Sequence, residues 1–544
     1  MAFDTRLDAA MAARWRGLGL WSDDTFSTAL ACRVAQSPER EAVTDGERRL
    51  SYRELADGID RMAARLRALG IGEGDTVTIQ LPNWIEFPLV FFALERLGAV
   101  AVPVSVDFRA RELQYIMRHS GSRMFVCCAR FRDFDHLAMA EELSALLPGL
   151  SRIGVVRGSP RAGMVSLDDV VEAPGAPTGF LPAQQNADTV MRLVFTSGTT
   201  GNPKGVMHSH NTTLAAPRVL NRDLGLDAGD VMMVWLPLGL NWGYLTLVQS
   251  ILAGAKAVLL ERFRAAPALD LIERERVSYI STAPASLTAI LQEPELSRRD
   301  LKSLRYVVSG GASAPLEVIR AWRRAAPGAF LELYGMLETG YHTYTRPGDD
   351  PERVAGTVGR PASHMELKIV DAEGRALPPG EEGEICCDGP SVHLGYHNNP
   401  AANAEGFLSG GWFKTGDLGV IDDAGNLRIS GRVKEMINRG GMKFHPREIE
   451  EILYTHPKVL YAAIVGIPDP RLGEKSCLCL VPKPGAPPTL EELLAFLGDS
   501  VATYKRPERL ELFDGLPFTP TGKIQRHVLV RQVRERLAPP GANA

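Results

Sequence analysis

Apolar residues form two kinds of pattern in the first part of the chain, a helical repeat and short continuous runs. In residues 54–69 they fall at every third or fourth position, on one face of a helix, and Gly70 and Gly72 end the pattern. Continuous apolar runs at 77–81 and 100–104 enclose a second helical pattern at 87–97. Short buried strands that alternate with helices predict a parallel sheet with helices on its faces.

The same alternation resumes in the middle of the chain. It predicts strands at 230–236, 257–260, 279–282, 304–309 and 330–334, with helices at 244–252 and 269–276. Residues 160–185 are rich in Pro, Gly and Ala and predict a surface loop.

The pattern changes at about residue 356. From there to residue 429 short apolar runs are separated by turn residues, which predicts a small antiparallel, barrel-like unit. Beyond Gly431 a basic, glycine-rich segment leads into a compact α+β pattern, with helices at 446–454 and 490–497 and strands at 462–465 and 475–481. The predicted class is α/β. A large N-terminal domain of parallel-rich sheets, residues 1–433, precedes a small α+β C-terminal domain, residues 434–544.

The composition is typical of a soluble globular protein with more than one domain: 544 residues, of which 45% are apolar and 23% charged. The net charge of −4 argues against nucleic acid as a partner. None of the seven cysteines has C-x-x-C spacing, so reduced core thiols are expected. Residues 1–21 lack the apolar core of a signal peptide, and no apolar run is long enough to span a bilayer. A cytoplasmic protein without a membrane span is therefore expected.

The polar stretch at 196–205 follows a buried apolar run and concentrates groups that bind anions. Glycines let successive backbone N–H groups converge on one anion, and hydroxyls and a lysine add donors and charge. The stretch therefore predicts a loop that binds a nucleoside triphosphate, although it lacks the G-x-x-x-x-G-K-[ST] pattern of the common P-loop. A flexible surface loop is the alternative. The candidate residues are Thr196, Ser197, Gly198, Thr199, Thr200, Gly201 and Lys204.

Further motifs follow this loop in order: Tyr334-Gly335-x-x-Glu338, Gly383-Glu384, Phe413-Lys-Thr-Gly-Asp417, Gly431-Arg432, Asn438-Arg-Gly-Gly441 and Pro520-Thr-Gly-Lys523. With these motifs, residues 26–537 resemble the adenylate-forming superfamily of acyl-CoA synthetases, peptide-synthetase adenylation domains and luciferases. The resemblance implies an acyl-CoA ligase with ATP, Mg²⁺ and CoA as cofactors. The acid is activated with ATP to an acyl-adenylate, and the CoA thiol then attacks that adenylate.

The resemblance also implies the roles of individual residues. The loop at 196–204 would hold the β- and γ-phosphates, Glu338 would hold Mg²⁺, and Asp417 would accept the ribose hydroxyls. Lys523 would be the catalytic lysine, with Lys204, Glu338 and Arg432 as the other catalytic residues. Tyr334 would stack on adenine, and the other wall of that site would be formed by Gly310, Gly311 and Ala312. Gly335 and Met336 are further candidate cofactor-binding residues.

By the same resemblance the C-terminal domain is mobile and turns about a hinge at Lys434, so that one active site serves both half-reactions. Gly440 and Gly441 would let the pantetheine arm of CoA pass close to the backbone. Each of these assignments has a plainer alternative. Glu338 alone would be a surface carboxylate, Lys523 a solvated lysine and the glycine pair a turn.

The sequence departs from the family pattern at two places, one where relatives contact the α-phosphate and one in the predicted acyl site. Leu337 stands where many relatives have a threonine, although aryl-acid-activating relatives also lack it, and Leu240 stands where many have a histidine. The sequence segments expected to line the acyl pocket contain no charged residue. This argues against an amino acid as the substrate and favours an apolar acid: medium-chain, alicyclic, aryl or a bulky secondary-metabolite acid. The candidate pocket residues are Leu240, Asn241, Trp242, Tyr244, Ala283, Ser309, Gly335, Tyr341 and His342. Asn241 matches the position at which dihydroxybenzoate-activating relatives read a ring hydroxyl.

Three functions remain open at this stage. The first is a complete acyl-CoA ligase. The second is an enzyme of one half-reaction, which either loads a carrier protein or transfers an acyl group from an adenylate that a partner enzyme supplies. The third is a catalytically silent nucleotide-binding scaffold, against which the presence of Lys204, Glu338, Asp417 and Lys523 argues. A homodimer is left open as well.

Overall fold

A computed structural model describes residues 3–173, 175, 177, 185–196, 203–439, 442–519 and 523–537. The predicted phosphate contacts of Ser197, Gly198, Thr199, Thr200 and Gly201 lie outside these residues, as do Gly440 and Gly441. The side chain of Lys434 lies outside the description too. The assignments of these residues, and the domain boundary at Lys434, therefore remain predictions.

The helices are α1 Ala9–Gly17, α2 Phe26–Gln36, α3 Tyr52–Ala68, α4 Glu86–Arg96, α5 Ala110–Ser120, α6 His136–Leu146, α7 Asp168–Glu172, α8 His210–Leu224, α9 Asn241–Ala253, α10 Ala265–Glu275, α11 Pro284–Leu291, α12 Leu316–Ala325, α13 Pro351–Gly356, α14 Pro400–Gly406, α15 Pro446–Leu453, α16 Leu490–Leu497 and α17 Arg526–Leu537. Short 3₁₀ turns lie at Leu296–Arg298, Val433–Glu435, Gly498–Ser500 and Thr503–Lys505.

The strands are β1 Glu41–Thr44, β2 Arg49–Ser51, β3 Thr76–Gln80, β4 Val100–Pro103, β5 Met124–Cys128, β6 Arg130–Phe131, β7 Phe134–Asp135, β8 Arg152–Val156, β9 Val165–Ser166, β10 Val190–Phe195, β11 Gly205–Ser209, β12 Val231–Val234, β13 Lys256–Leu259, β14 Tyr279–Thr282, β15 Tyr306–Gly310, β16 Ala329–Met336, β17 Gly340–Tyr344, β18 Arg360–Pro361, β19 Glu366–Val370, β20 Gly383–Asp388, β21 Phe413–Ile421, β22 Leu427–Arg432, β23 Ile437–Arg439, β24 Met442–Phe444, β25 Val459–Asp469, β26 Gly473–Pro482 and β27 Arg509–Leu512.

Two parallel-rich sheets form the large domain, as the alternation predicts. One sheet runs β11-β10-β4-β3-β5-β8-β9 and is parallel except at the β10–β11 hairpin. The other runs β18-β17-β16-β15-β14-β12-β13-β1-β2 and is parallel from β16 to β1. Polar motifs follow β10, β15 and β16, so the ends of these strands carry most of the predicted nucleotide site.

The main hydrophobic core lies between these sheets. Helix α4 is buried along its whole length except at Arg96, because its apolar residues continue around the helix instead of forming one stripe. Helix α3 shows the opposite pattern and buries only one face, after Ser51 and Glu54 close a capping box at its first turn. Helices α8 and α9 also contribute to this core, and the start of α9 carries residues of the predicted acyl site.

The predicted antiparallel unit is the sheet β19-β20-β21-β22. The C-terminal region folds around a further sheet, β24-β23-β26-β25, with β27 parallel to β26 and helices α15, α16 and α17 on its faces. In residues 160–173, the described first part of the surface loop predicted at 160–185, there is more regular structure than expected. Within it, Val165 pairs with Gly154 of β8, and two aspartates open the short helix α7.

Two further expectations concern the cysteines and the membrane. The cysteines form no disulfide, and all except Cys32 are buried. Within the described ranges, no helix combines the length and apolar character needed to cross a bilayer.

Candidate active site

The predicted phosphate loop is closed at its base by a pair of backbone contacts. Phe195 of β10 pairs with Gly205 of β11. One step further, the Thr196 backbone N–H donates to the Lys204 carbonyl over 3.0 Å. The Lys204 backbone N–H in turn donates to Thr196 Oγ1 over 3.1 Å. The hairpin therefore fixes both ends of the loop beside the sheet edge.

Tyr396 links Lys204 to Glu338. The Lys204 Nζ atom lies 4.6 Å from the centroid of the Tyr396 ring, within cation–π range. The Tyr396 hydroxyl donates to Glu338 Oε1 over 3.0 Å. Burial raises the pKa of Glu338, while the Tyr396 hydroxyl and the charges of Lys523 and Lys204 oppose that rise. Sequence reasoning missed Tyr396, because nothing in the sequence around this tyrosine indicates a partner 58 residues away.

Asp417 is held from two sides. It pairs with Arg432 across strands β21 and β22, and Arg432 Nε lies 2.9 Å from Asp417 Oδ1. The Tyr334 hydroxyl donates to the other oxygen, Oδ2, over 2.5 Å. The charge of Asp417 raises the pKa of Arg432, and burial raises the pKa of Tyr334 well above its usual value. Both carboxylate oxygens of Asp417 are therefore already oriented for an acceptor role.

Lys523 reaches this group from the C-terminal region. Its backbone N–H donates to Thr519 Oγ1 over 3.0 Å, which shapes the turn that carries it. Burial lowers the pKa of Lys523, and the neighbouring Arg432 lowers it further, whereas Asp417 and Glu338 raise it. The structure thus brings together Glu338, Asp417, Arg432 and Lys523, which lie far apart in the sequence.

Two other contacts join the C-terminal region to the large domain. Arg447 of α15 donates to the hydroxyl of Ser313, just after the predicted adenine wall, and it also ion-pairs with Glu451 on its own helix over 2.8 Å. The ring of His445 covers Gly431, where a Cβ atom would lie 2.6 Å from His445 Nδ1. Gly431 therefore admits a close approach that a side chain would block.

In the predicted adenine wall, a side chain from another part of the protein comes close to the backbone. At Gly310 an added Cβ would lie 2.8 Å from the indole of Trp242, so this glycine lets the indole rest on the strand end. Gly311 has a positive φ of 79°, and Ala312 is exposed. The ring of Tyr334 lies 4.2 Å, centroid to centroid, from the ring of His342. His342 thus lies beside the predicted nucleotide site, and its place in the acyl pocket remains a prediction.

The first turn of α9 carries the predicted acyl-site residues. Leu240 is the residue before the helix and Asn241 the first residue within it, and both are half-buried. Tyr244 points into the main core, with its ring centroid 4.6 Å from that of Phe91. Ala283, Ser309 and Tyr341 are buried.

One residue at this site escaped the sequence analysis. Arg192 of β10 is buried, and its Nη1 donates to Asn241 Oδ1 over 2.9 Å. It lies outside the segments predicted to line the pocket, which contain no charged residue, and it adds a buried charge beside Asn241. An arginine within the buried run Val190–Phe195 is itself an unusual signal that could have identified it.

Leu337 takes the place of the family's threonine without a polar replacement. Its side chain packs against the main core. The carbonyl oxygen of Leu337 lies 2.8 Å from Nε2 of His208, within hydrogen-bond distance. Burial lowers the pKa of His208 well below its usual value. A neutral His208 therefore fixes the backbone between Met336 and Glu338.

The residues around Glu338 suit a magnesium ion held mainly by a substrate. In the described part of the chain no three His, Cys, Asp or Glu side chains cluster in a way that could bind a metal. Glu338 is one buried carboxylate with one oxygen free of the Tyr396 bond. Mg²⁺ is commonly bound by one or two carboxylates together with substrate phosphates, and Glu338 fits that arrangement.

Two family models match the chain. The AMP-binding enzyme family matches residues 30–397, and the AMP-binding enzyme C-terminal domain matches residues 448–523. The chain is 34% identical over 530 residues to a medium-chain fatty-acid–CoA ligase of Escherichia coli (strain K12), with 96% of this chain and 93% of the relative covered.

Two aryl-acid enzymes are similarly related. The chain is 36% identical over 534 residues to a salicyl-AMP ligase / salicyl-S-ArCP synthetase of Mycobacterium tuberculosis, covering 96% of this chain and 94% of the relative. The structure of the anthranilate CoA ligase AuaEII in complex with anthranoyl-AMP superposes with a TM-score of 0.87 at 28% identity, covering 95% of this chain and 98% of that chain.

Proposed function

The chain belongs to the AMP-binding enzyme family, and we propose that it is an acyl-CoA ligase of the AMP-forming type. It activates a largely apolar carboxylic acid with ATP and Mg²⁺ to an acyl-adenylate and then transfers the acyl group to CoA. The acid is medium-chain, alicyclic, aryl or a bulky secondary-metabolite acid. The observation that carries the proposal is the position of Lys523 beside Glu338, Asp417 and Arg432.

Activation of a carboxylate brings two negative groups together in one transition state. The acid oxygen attacks the α-phosphate in line while charge develops on the leaving pyrophosphate. An ammonium group held in a half-buried site stabilises that charge more strongly than it would in water. Lys523 would do this, and its electrostatic interactions with Glu338 and Asp417 support the role. Asp417, which Tyr334 and Arg432 hold, would orient the ribose.

Lys204 and Glu338 complete the proposed phosphate side. Lys204 is held over the Tyr396 ring at the base of its loop and supplies positive charge to the outer phosphates. Glu338 would hold Mg²⁺, which neutralises phosphate charge when it is bound. Tyr396 orients the Glu338 carboxylate for this task through its hydrogen bond.

The thiol acceptor of the second step has two candidates. CoA is the first. A carrier protein is the second, and it is favoured by the similarity to the relative named as a salicyl-S-ArCP synthetase. Both acceptors present a pantetheine thiol, which Gly440 and Gly441 would accommodate.

Two assays on one purified sample test the proposal. The first measures acid-dependent pyrophosphate release with ATP and Mg²⁺, and the second measures thioester formation from synthetic acyl-adenylates. Lys523→Ala should abolish the first and spare the second, because the lysine acts only in the adenylation transition state. Lys483→Ala, an exposed lysine of the same region, is the matched control and should change neither.

The outcomes separate the alternatives. Pyrophosphate release and thioester formation together support the complete ligase, and a parallel run with a phosphopantetheinylated carrier protein identifies the acceptor. Thioester formation without pyrophosphate release would indicate that the first step has been lost at Leu337 and Leu240. Activity in neither assay with every acid class would overturn the proposal.

A further inference from the structure

The N-terminal segment, residues 3–21, packs against the end of β20 and the chain that follows this strand. Trp21 Nε1 donates to the Pro390 carbonyl over 2.9 Å. Arg14 Nη1 lies 2.5 Å from Asp388 Oδ2 and forms an ion pair with it. These contacts fix the segment to a part of the large domain that lies far away in the sequence.

Arg6 of this segment holds two separate stretches of backbone. Its Nη1 donates to the His393 carbonyl over 3.3 Å, and its Nη2 donates to the Gly411 carbonyl over 3.2 Å. Its backbone N–H donates to the Leu394 carbonyl over 2.9 Å. The guanidinium carbon also lies 4.3 Å from the centroid of the Phe407 ring, within cation–π range. A planar fork can hold two carbonyls in a fixed geometry, which a lysine ammonium cannot do as well.

Residues 393–397, which we call the bridging segment, connect Glu338 to the hairpin of the phosphate loop. At one end of the bridging segment, the His393 backbone N–H donates to the Glu338 carbonyl over 2.7 Å. At the other end, the His397 backbone N–H donates to the Gly205 carbonyl over 2.7 Å. The bridging segment therefore sets the distance between the metal carboxylate and the start of β11.

The same segment also carries Tyr396, which contacts both Glu338 and Lys204. Glu338 is thus held twice, through its backbone carbonyl by His393 and through its carboxylate by Tyr396. Arg6 binds the carbonyl of His393, whose N–H binds Glu338. A single residue therefore separates the guanidinium of the N-terminal segment from the backbone of the predicted metal carboxylate.

We propose that Arg6 is a positioning residue that holds Glu338 in place through the bridging segment. The inference rests on the proposed function, since it takes Glu338 as the carboxylate for Mg²⁺. Without the guanidinium, the His393 carbonyl loses its donor and the bridging segment can move away from Glu338. Binding of ATP with Mg²⁺ should then weaken. Binding of AMP should not, because the predicted ribose carboxylate, Asp417, lies on β21 and is held there by its own partners.

Hydrogen exchange on the full chain, followed by mass spectrometry, tests the contact without any substrate. In Arg6→Ala the peptide that contains His393 should exchange about tenfold faster, because the local structure opens more easily when its donor is lost. Arg6→Lys keeps the charge but not the fork and should give an intermediate rate. Arg16→Ala is the matched control, since this arginine of the same segment pairs with Asp23 and Asp188 instead, and exchange at His393 should not change. Unchanged exchange at His393 in Arg6→Ala would overturn the inference.

Calorimetry then tests the connection to the nucleotide. The probes are α,β-methylene ATP with Mg²⁺, which cannot release pyrophosphate, and AMP, which lacks the outer phosphates. Arg6→Ala should weaken binding of the ATP analogue by about tenfold and leave the affinity for AMP within about twofold of the wild type. Equal weakening of both ligands would indicate a general loss of stability and would overturn the inference. Faster exchange at His393 with unchanged binding of the analogue would overturn it too.

Chemical rescue assigns the effect to the guanidinium group itself. Guanidinium chloride at millimolar concentration should restore part of the affinity of Arg6→Ala for the ATP analogue, because the small cation can occupy the place over the Phe407 ring and donate to both carbonyls. It should not change the affinity of Arg16→Ala. The proposed function and the inference fail separately. A wild-type chain that binds the analogue but releases no pyrophosphate with any acid would contradict the proposed function, and a selective loss of analogue binding in Arg6→Ala would still support the inference.

Discussion

The hydroxyl of Tyr396 donates to Glu338 Oε1 over 3.0 Å, and the ring of the same tyrosine receives the Lys204 ammonium on its face. One side chain therefore couples the predicted metal carboxylate to the predicted phosphate lysine. Its two functions reside in different parts of the residue. Substitution can separate them.

Tyr396→Phe should move the acid limb of the adenylation pH profile to higher pH. The hydroxyl favours the ionised form of Glu338, against the burial that raises the pKa of that carboxyl. Loss of the hydrogen bond raises the pKa further, so a higher pH is needed to ionise Glu338. At neutral pH the loss of a bond to a charged group should slow adenylation by about ten- to a hundredfold.

Pyrophosphate release measured across pH checks this result. Tyr115→Phe, at a half-buried tyrosine of α5, serves as the control and should leave the limb unchanged. Tyr396→Leu removes the aromatic ring as well, so Lys204 loses its cation–π contact. Adenylation should therefore be slower in this variant than in Tyr396→Phe. An acid limb that stays in place in Tyr396→Phe would show that Glu338 does not govern it.

Lys523→Arg should extend adenylation to higher pH. Burial and Arg432 lower the pKa of Lys523, and the ammonium is the form that carries the useful charge. Wild-type adenylation should therefore fall as pH rises through that lowered pKa. A guanidinium keeps its charge throughout this range, so the alkaline limb should move upwards even where the altered shape lowers kcat. An alkaline limb at the same pH in the wild type and in Lys523→Arg would contradict the prediction that the charge of Lys523 governs this limb.

Arg447→Ala and Ser313→Ala should each slow adenylation, and the double variant should be little slower than either. The two side chains form one contact between α15 and the segment after the adenine wall, so removing either removes the same interaction. Thioester formation from a supplied adenylate should be unaffected if the contact belongs to the adenylation arrangement alone. Strictly additive effects on pyrophosphate release would show that the two residues act separately.

The regular elements could be predicted from the sequence because their causes are local. The predicted bounds of the strand Tyr279–Thr282 and the helix Leu490–Leu497 agree with the structure at both ends. Aromatic and β-branched residues, Tyr279, Ile280 and Thr282, favour the first. Thr489 and Glu492 close a capping box on the second. Within the region predicted as a loop at 160–185, β9 was missed, because a strand of two residues leaves no alternating pattern in the sequence.

The candidate site could be predicted only where a motif names its residues. The motifs identified Glu338, Asp417, Arg432 and Lys523, and the structure brings these four together. Arg192 and the Tyr396 bridge could not be found in this way, because each acquires its role from a partner far along the chain. The burial of Arg192 beside Asn241 results from tertiary packing. Counting charges within the segments expected to line the pocket cannot reveal it.

Gly335→Ala tests the backbone that carries Glu338. A Cβ atom at this position would lie 2.1 Å from the Gly340 carbonyl oxygen, and the two residues belong to the paired strands β16 and β17. Neither backbone can move away without breaking the ladder, so the substitution should lower the free energy of unfolding by about 1–3 kcal/mol. It should also displace Glu338, and adenylation should fall even at temperatures where the variant is fully folded. Gly356→Ala is the control, because an added Cβ meets nothing within 4 Å there, and its effect should stay within about 1 kcal/mol. Urea unfolding followed by pyrophosphate release measures both effects. Equal unfolding midpoints for the two variants would show that the hairpin carrying Glu338 relaxes freely.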